Sequence, residues 1–346
     1  MRSLTRLALA SSCAFAASAL PALAATGEEV LENVCSACHV THDDGRMERI
    51  DAARKTPEGW DMTVTRMMRN HRVNLTDEER VAVVRHLSET RGLSLAETEG
   101  WRYILEREPV ATDIGPTEQM TQTCARCHSY ARVALQRRTP EDWAHLVNFH
   151  LGQYPSLEYQ ALARDRDWWG IAQAEIIPFL AKTYPLGEAP APFAGKVAGA
   201  YVLAGRQPGR GDYTAMLDIA AGEGDHAVTM AVTYADGSTA SFTGSGRIIG
   251  AGEWRASLSD GQVTIRQVFA LEEGGKISGR WFETKRDVIG GRVNGLRADA
   301  APAVLAVQPP SVKVGVPTVV RIAGPGLAAP TSLPEGAELV AHDASG

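Results

Sequence analysis

Beyond its first two dozen residues the chain has no apolar run of transmembrane length, which excludes a helical membrane span from the remainder. It has no cluster of basic residues either. With 35 Lys and Arg against 41 Asp and Glu, for a formal net charge of −6, it is poorly suited to binding nucleic acid. Cysteine is scarce, five in 346 residues, and one of these (Cys13) lies inside the N-terminal apolar stretch. The C-terminal half has no grouping of His, Asp, Glu or Ser at a catalytic spacing, so its expected role is scaffold and partner surface.

The N-terminus has the layout of a cleaved export signal over residues 1–24. Arg2 and Arg6 precede an apolar run from Leu7 to Leu20, and Ala22-Leu23-Ala24 forms a small-x-small cleavage site. The run is too short and too alanine-rich to anchor in about 30 Å of hydrocarbon. Cys13 has no lipobox around it. Cleavage near Ala25 removes two arginines and no acids, leaving a net charge of about −8.

Four cysteines then remain: Cys35, Cys38, Cys124 and Cys127. Each pair forms C-x-x-C followed at once by histidine, in "CSACH" and "CARCH". This is the attachment motif of c-type haem. Two thiols add to the porphyrin vinyl groups, and His39 or His128 places an imidazole under the iron. A zinc ribbon would hold its two knuckles about 15–20 residues apart, whereas roughly 85 separate these. A redox dithiol would have no need of histidine at the next position both times. Two covalent haems are therefore expected, with no cysteine left over.

A second signature follows each motif. "TPEGWDMTVTRMM" begins at Thr56 and "TPEDWAHLVNFHL" at Thr139. Each T-P-E predicts a helix start, with Thr as N-cap, Pro at the first helical position and Glu near the positive end. Positions four, seven and eleven after each Trp fall within about 40° of it on a helix. Trp60, Val64, Met67 and His71 are thus predicted to share a buried face, and so are Trp143, Val147, His150 and Tyr154. Met68 stands at the edge of the first face and Met62 points away. Met67 and His150 occupy the same register, and methionine and histidine are both axial ligands of c-type haem. Met67 as a flexible core filler is the alternative. His71 and Met68 remain candidates for the first iron, while His42 stands too close to its motif to reach the opposite face.

Residues 25 to about 185 have a period near 3.6. Thr76 caps a helix whose first turn holds Asp77 to Glu79 and which Gly92 follows. A further helical stretch over 158–184 is expected to break at Pro178, and its Trp168-Trp169 pair is suited either to covering a haem or to plain core packing. After the Pro/Ala/Gly linker "PLGEAPAPFAGKV" the period becomes two. Seven segments between residues 198 and 284 read as strands, with "ADGS" and "SDGQ" as hairpin turns. Seven or eight antiparallel strands suggest a closed barrel or a sandwich. From about Ala301 another β unit begins, similar to the opening of an immunoglobulin-like module. Such a sandwich needs about 100 residues, so an incomplete last domain is expected.

Taken together, the leader, both haem motifs, "TPEGWDMTVTRMMRNH", "TPEDWAHLVNFHLGQYPSLEYQALARDRDWW" and the β modules resemble the large dihaem subunit of quinohaemoprotein amine dehydrogenases. The resemblance implies a multidomain α plus all-β chain. A dihaem cytochrome c domain would occupy 25–187, in halves of about 25–110 and 111–187. An antiparallel β-barrel would follow over 188–300 and an immunoglobulin-like domain, cut short, over 301–346. It implies a periplasmic heterotrimer that deaminates primary amines oxidatively. Amine chemistry would occur at a cysteine tryptophylquinone on a separate small subunit, with a propeller-like subunit completing the site. Electrons would leave through haems held by Cys35, Cys38, His39 and Met67, and by Cys124, Cys127, His128 and His150, to a copper protein or another cytochrome c. Two other classes compete. A free-standing dihaem shuttle would not need the β scaffold, and a dihaem peroxidase would need an open iron position.

Overall fold

The structure, a computed structural model, describes residues 25–154, 167–222, 224–330 and 332–342. The expected export signal lies outside these residues, as does 158–166 of the expected helical stretch.

The helical region is built twice over. In the first half, α1 (Gly27–Asn33) is fixed by a reciprocal cap: Thr26 Oγ1 accepts from the Glu29 amide, and the Glu29 carboxylate accepts from the Thr26 amide. A short strand β1 (Ala53–Lys55) then leads into α2 (Pro57–His71) and α3 (Asp77–Thr90). The predicted caps form, with Thr56 Oγ1 accepting from Gly59 and Thr76 Oγ1 from Glu79. After α4 (Leu95–Thr98) the second half repeats the plan with α5 (Glu118–Thr123), α6 (Ala131–Ala134), β2 (Gln136–Arg138) and α7 (Pro140–Gln153). Thr139 Oγ1 caps α7 by accepting from Asp142.

Both tryptophans of the repeat are buried and perform the same task. The Trp60 indole N–H donates to Arg91 O at 3.0 Å, and that of Trp143 donates to Tyr184 O at 3.1 Å. Arg91 and Tyr184 are the residues that close the next helix in each half. Residues Trp168–Ile171 and Ile177–Thr183 form that helix in the second half, joined by a π turn over Ala172–Ile176. The break predicted at Pro178 does not occur. Proline lacks an N–H to give the preceding turn, so the helix widens just before it and continues.

The two halves join through β1 and β2, which pair antiparallel with Arg54 opposite Arg137. The register is symmetric: Ala53 meets Arg138 and Lys55 meets Gln136, which are each other's counterparts in the repeat. Glu97 sits on this dyad and takes both arginines, Arg54 Nη2 at 2.7 Å and Arg137 Nε at 3.1 Å.

Eight antiparallel strands follow, β3 (Gly199–Gln207), β4 (Gly211–Ile219), β5 (His226–Tyr234), β6 (Thr239–Ile249), β7 (Glu253–Ser259), β8 (Thr264–Leu271), β9 (Lys276–Glu283) and β10 (Arg286–Arg297). Each pairs with the next, and β10 closes on β3 to make a barrel. Alternate residues fill it, for example Tyr213, Ala215, Leu217 and Ile219 on β4 and Val228, Met230, Val232 and Tyr234 on β5. Both predicted Asp-Gly turns form, with Gly237 at φ +83° and Gly261 at φ +90°. The strand that sequence reading left unnamed is β10. Its Gly290 lies where a Cβ would come within 2.1 Å of Trp281 O, so glycine there is required by close strand packing.

The barrel docks on the helical region through a small apolar cluster, Leu105, Ala131 and Leu135 against Val268 and Phe282. Around it runs a chain of ion pairs: Arg102 to Glu253, Glu253 to Arg255 and Arg255 to Glu58 in the first turn of α2. Beyond the barrel, β11 (Ala306–Gln308) and β12 (Arg321–Ala323) form one antiparallel pair. Among the described residues no helix is long and apolar enough to cross a membrane.

Candidate functional site

The first motif is one tight turn. Residues Cys35–Ala37 form a 3-10 helix, and the amides of Cys38 and His39 both donate to Cys35 O, at 3.1 and 3.0 Å. Two thiols and an imidazole therefore issue from a single turn. Cys35 is half-buried against the first-half core and Cys38 is exposed. The second motif follows α5, where the Cys124 amide donates to Met120 O at 2.8 Å. Cys124 packs against the second-half core and Cys127 is exposed.

Among the described residues none of the four cysteines is paired in a disulfide. Burial, aided by Cys38, raises the Cys35 thiol above its ordinary pKa, and burial pushes Cys124 up to about 11. A redox dithiol relies on an environment that favours thiolate; these surroundings do the opposite. The zinc alternative also lacks support, since among the described residues no cluster of three His, Cys, Asp or Glu is placed to hold a metal ion.

Each motif histidine has one ring nitrogen committed. His39 Nδ1 lies 3.0 Å from Glu48 O, and His128 Nδ1 lies 2.9 Å from Ser129 O. On α7, His150 Nδ1 lies 2.8 Å from Leu146 O, one turn back. A carbonyl only accepts, so Nδ1 is the donor in all three, which leaves Nε2 as the ring nitrogen that a metal could take. Burial lowers the His150 pKa despite the Leu146 carbonyl, with His128 nearby adding to the effect, which favours the neutral, ligating form.

The structure brings His128 and His150 together. Their ring centroids are 6.3 Å apart, with planes inclined by 45°. Imidazole nitrogens bond a metal at about 2 Å, so two rings sharing one ion from opposite sides stand about 6 Å apart. The donors gathered at this site would fit a haem: two histidines at the separation that a shared iron would need, and two thiols from the same turn as one of them.

Met67 is half-buried near the end of α2, and its carbonyl takes the amides of Arg72 and Val73 as the helix closes. Met68 is also half-buried and packs on the core that receives Cys35. The predicted shared face holds for Trp60 and Val64, and for Trp143 and Val147, all buried. It fails at its far end. His71 and Tyr154 are exposed, because both helices terminate there and the chain turns away, Arg72 entering the left-handed region at φ 58°. His42 is exposed in the loop after the first motif, and Met62 is exposed as expected. Trp168 and Trp169 stack at 5.8 Å against the second-half core.

Sequence reading missed Asp113. It accepts hydrogen bonds from Tyr103 Oη (2.5 Å), Ser129 Oγ (3.0 Å) and the Tyr130 amide (3.1 Å), and so moors the residue whose carbonyl orients His128. Only the fold assembles these groups; no periodicity or motif marks the position.

Three family models match the chain. Residues 25–190 match "Quinohemoprotein amine dehydrogenase A, alpha subunit, haem binding", 194–298 match domain II of the same subunit and 301–345 match domain III. No curated protein matches. Among solved structures, a de novo designed fluorescence-activating β-barrel is 12% identical, covering 29% of this chain and 93% of that one at a TM-score of 0.25. A redesigned β-barrel bound to DFHBI is 10% identical, with the same coverages and TM-score. Neither likeness bears on function. The family models span the helical region, the barrel and the terminal strand pair in order, and the chain belongs to the family of quinohaemoprotein amine dehydrogenase alpha subunits, the haem-binding component of a multi-subunit oxidoreductase.

Proposed function

We propose that this chain is the electron-transfer subunit of a periplasmic amine dehydrogenase and carries two covalent c-type haems. Cys35 and Cys38 link the first and Cys124 and Cys127 the second. His39 and Met67 ligate the first iron, His128 and His150 the second. The observation that carries the reading is the pair His128 and His150, with ring centroids 6.3 Å apart and both Nδ1 atoms tied to backbone carbonyls. Met67 is assigned to the first iron by equivalence. It follows Trp60 as His150 follows Trp143, and the two tryptophans anchor their helices in the same way.

When bound, the haems supply two one-electron carriers. The protein holds their ligand atoms rigidly: carbonyl partners fix each imidazole, and the capped helices α2 and α7 fix the opposite ligands. Amine oxidation takes place elsewhere, at a cysteine tryptophylquinone on a small partner subunit completed by a propeller-like subunit. With all four mature cysteines committed to haem, this chain has none for such a cross-link. Electrons leave to a soluble copper protein or cytochrome c. Purification from the native host tests the proposal. It requires a mature chain beginning near Ala25, two acid-stable haems, and a co-purifying small subunit that stains for quinone. A haem-bearing chain recovered alone, with no quinone-bearing partner, would refute the dehydrogenase assignment.

A further inference from the structure

A charge imbalance lies along the seam between the two helical halves. Arg66 comes from α2, directly before Met67, yet its guanidinium stands 5.1 Å over the ring of Phe149, directly before His150. Its Nε is buried and has no hydrogen-bond partner. Arg132, four residues after His128, donates through Nη2 to the Met62 thioether, a weak acceptor. Neither arginine forms an ion pair among the described residues. The contact of Arg66 with Phe149, next to His150, and the position of Arg132 four residues after His128 place both beside the second site.

The surroundings do not neutralise them. Lys55, 4% exposed, lies 4.5 Å over the Trp60 ring and donates to Thr63 Oγ1 at 2.7 Å, with Arg66 among the cations that act on it. The carboxylate in this group, Asp142, already takes Arg49 and Arg138. Among the described residues, Arg49, Arg66 and Arg138 thus surround Lys55 together with the carboxylate of Asp142. Arg132 is exposed, but Arg66 is half-buried, and a partly buried cation without an anion is disfavoured; a haem brings two carboxylates, the acceptors that a planar guanidinium binds best.

We propose that Arg66, with Arg132 beside it, binds the propionate carboxylates of the haem held by His128 and His150. A side chain from the first half's ligand helix thereby anchors the second half's cofactor. This pairing rests on the haem assignment above. Positive charge beside a haem favours the form that carries the additional electron, so removing it lowers the midpoint potential of that haem.

The test is a spectroelectrochemical titration of the full holoprotein carrying Arg66→Gln, Arg66→Lys or Arg132→Gln, with the exposed Arg69→Gln as a control on the same helix. Arg66→Gln and Arg132→Gln should each lower the midpoint of one component, and the same one. That component should be the one left in place by Met67→His. Arg66→Lys should restore most of the shift, and Arg69→Gln should move neither component. Two acid-stable haems with both midpoints unmoved in Arg66→Gln and Arg132→Gln would overturn the pairing while leaving the haem assignment intact. So would an equal shift in Arg69→Gln. If Arg66→Gln accumulates poorly, the exposed Arg132 position carries the same decision. Fewer than two covalent haems in the unsubstituted protein would overturn the haem assignment and the pairing with it.

Discussion

Glu253 is the centre of the seam that fixes the barrel to the haem-binding region, and replacing it with Gln tests whether that seam is structural in the strong sense. The side chain is 3% exposed. It accepts from both terminal nitrogens of Arg102, with Nη2 at 3.1 Å, and from Arg255 Nη1 at 2.8 Å. Glutamine keeps the volume and removes the charge. Breaking a buried pair from one side costs about 3–5 kcal/mol, chiefly because the opposite charge is left buried. Here the cations are not wholly orphaned: Arg102 Nε retains Glu106 at 3.1 Å, and Arg255 Nε retains Glu58 at 2.8 Å. The expected loss is therefore at the low end, about 3 kcal/mol, or a fall in Tm of roughly 6–12 °C.

Thermal melting followed by far-UV circular dichroism and by Soret absorption measures it, with the exposed Glu272→Gln as control. A pH series adds a sign test. Burial alone would raise the Glu253 pKa, but Arg255 and Arg102 outweigh it and hold the carboxyl below the usual range. A depressed folded pKa contributes stability that is present above the unfolded value, about 4.3, and is lost as pH falls through the folded value. The wild type should therefore show an acid-dependent loss below about pH 4 that Glu253→Gln lacks. A Tm within about 1 °C of the control, or the same acid loss in the variant, would refute the reasoning.

Cys124→Ala should lower the covalent haem content, counted after acid extraction, and destabilise the second half more than the first. Met67→His should abolish the weak far-red methionine–iron charge-transfer band of the oxidised protein and lower the higher of the two midpoint potentials, since thioether ligation raises potential. Survival of the band would move the assignment to Met68. Gly290→Ala should cost about 1–3 kcal/mol, because its Cβ meets the backbone carbonyl of Trp281, a neighbour that cannot swing aside. Thermal melting of the barrel signal would show it, with the Soret band retained.

The parts of this architecture legible in the sequence are those whose signals are local. Thr56 and Thr139 announce helix starts because a hydroxyl must satisfy amides two or three residues away. Strands β3 to β9 are legible because one face of each meets the barrel interior, imposing a period of two. Strand β10 is not, because its Gly290 answers to the backbone of β9, which no local pattern reveals. Strands β1 and β2 are three residues each and carry four basic side chains between them, so they read as loops until paired with each other. The site divides in the same way. Cysteines and histidines on one turn are visible as a motif. Asp113 and Arg66 are not, since each acts on groups brought near only by the fold.

The strand pair also gives the two halves of the helical region a common frame. Its register is symmetric about Arg54 and Arg137, so the chain leaves it in opposite directions through Lys55-Thr56-Pro57 and Arg138-Thr139-Pro140. Both ligand helices therefore start from a common origin, held by backbone hydrogen bonds and by Glu97 across the dyad. Met67 and His150 then lie at the same distance along their helices, each fixed in rotation by a tryptophan that clasps the end of the next helix. On the proposed assignment, a change of residue type at that register would alter the donor offered to the iron without altering the frame. On that assignment the difference between the two sites is carried by single side chains, Met67 against His150, while their spacing is set by the paired strands β1 and β2.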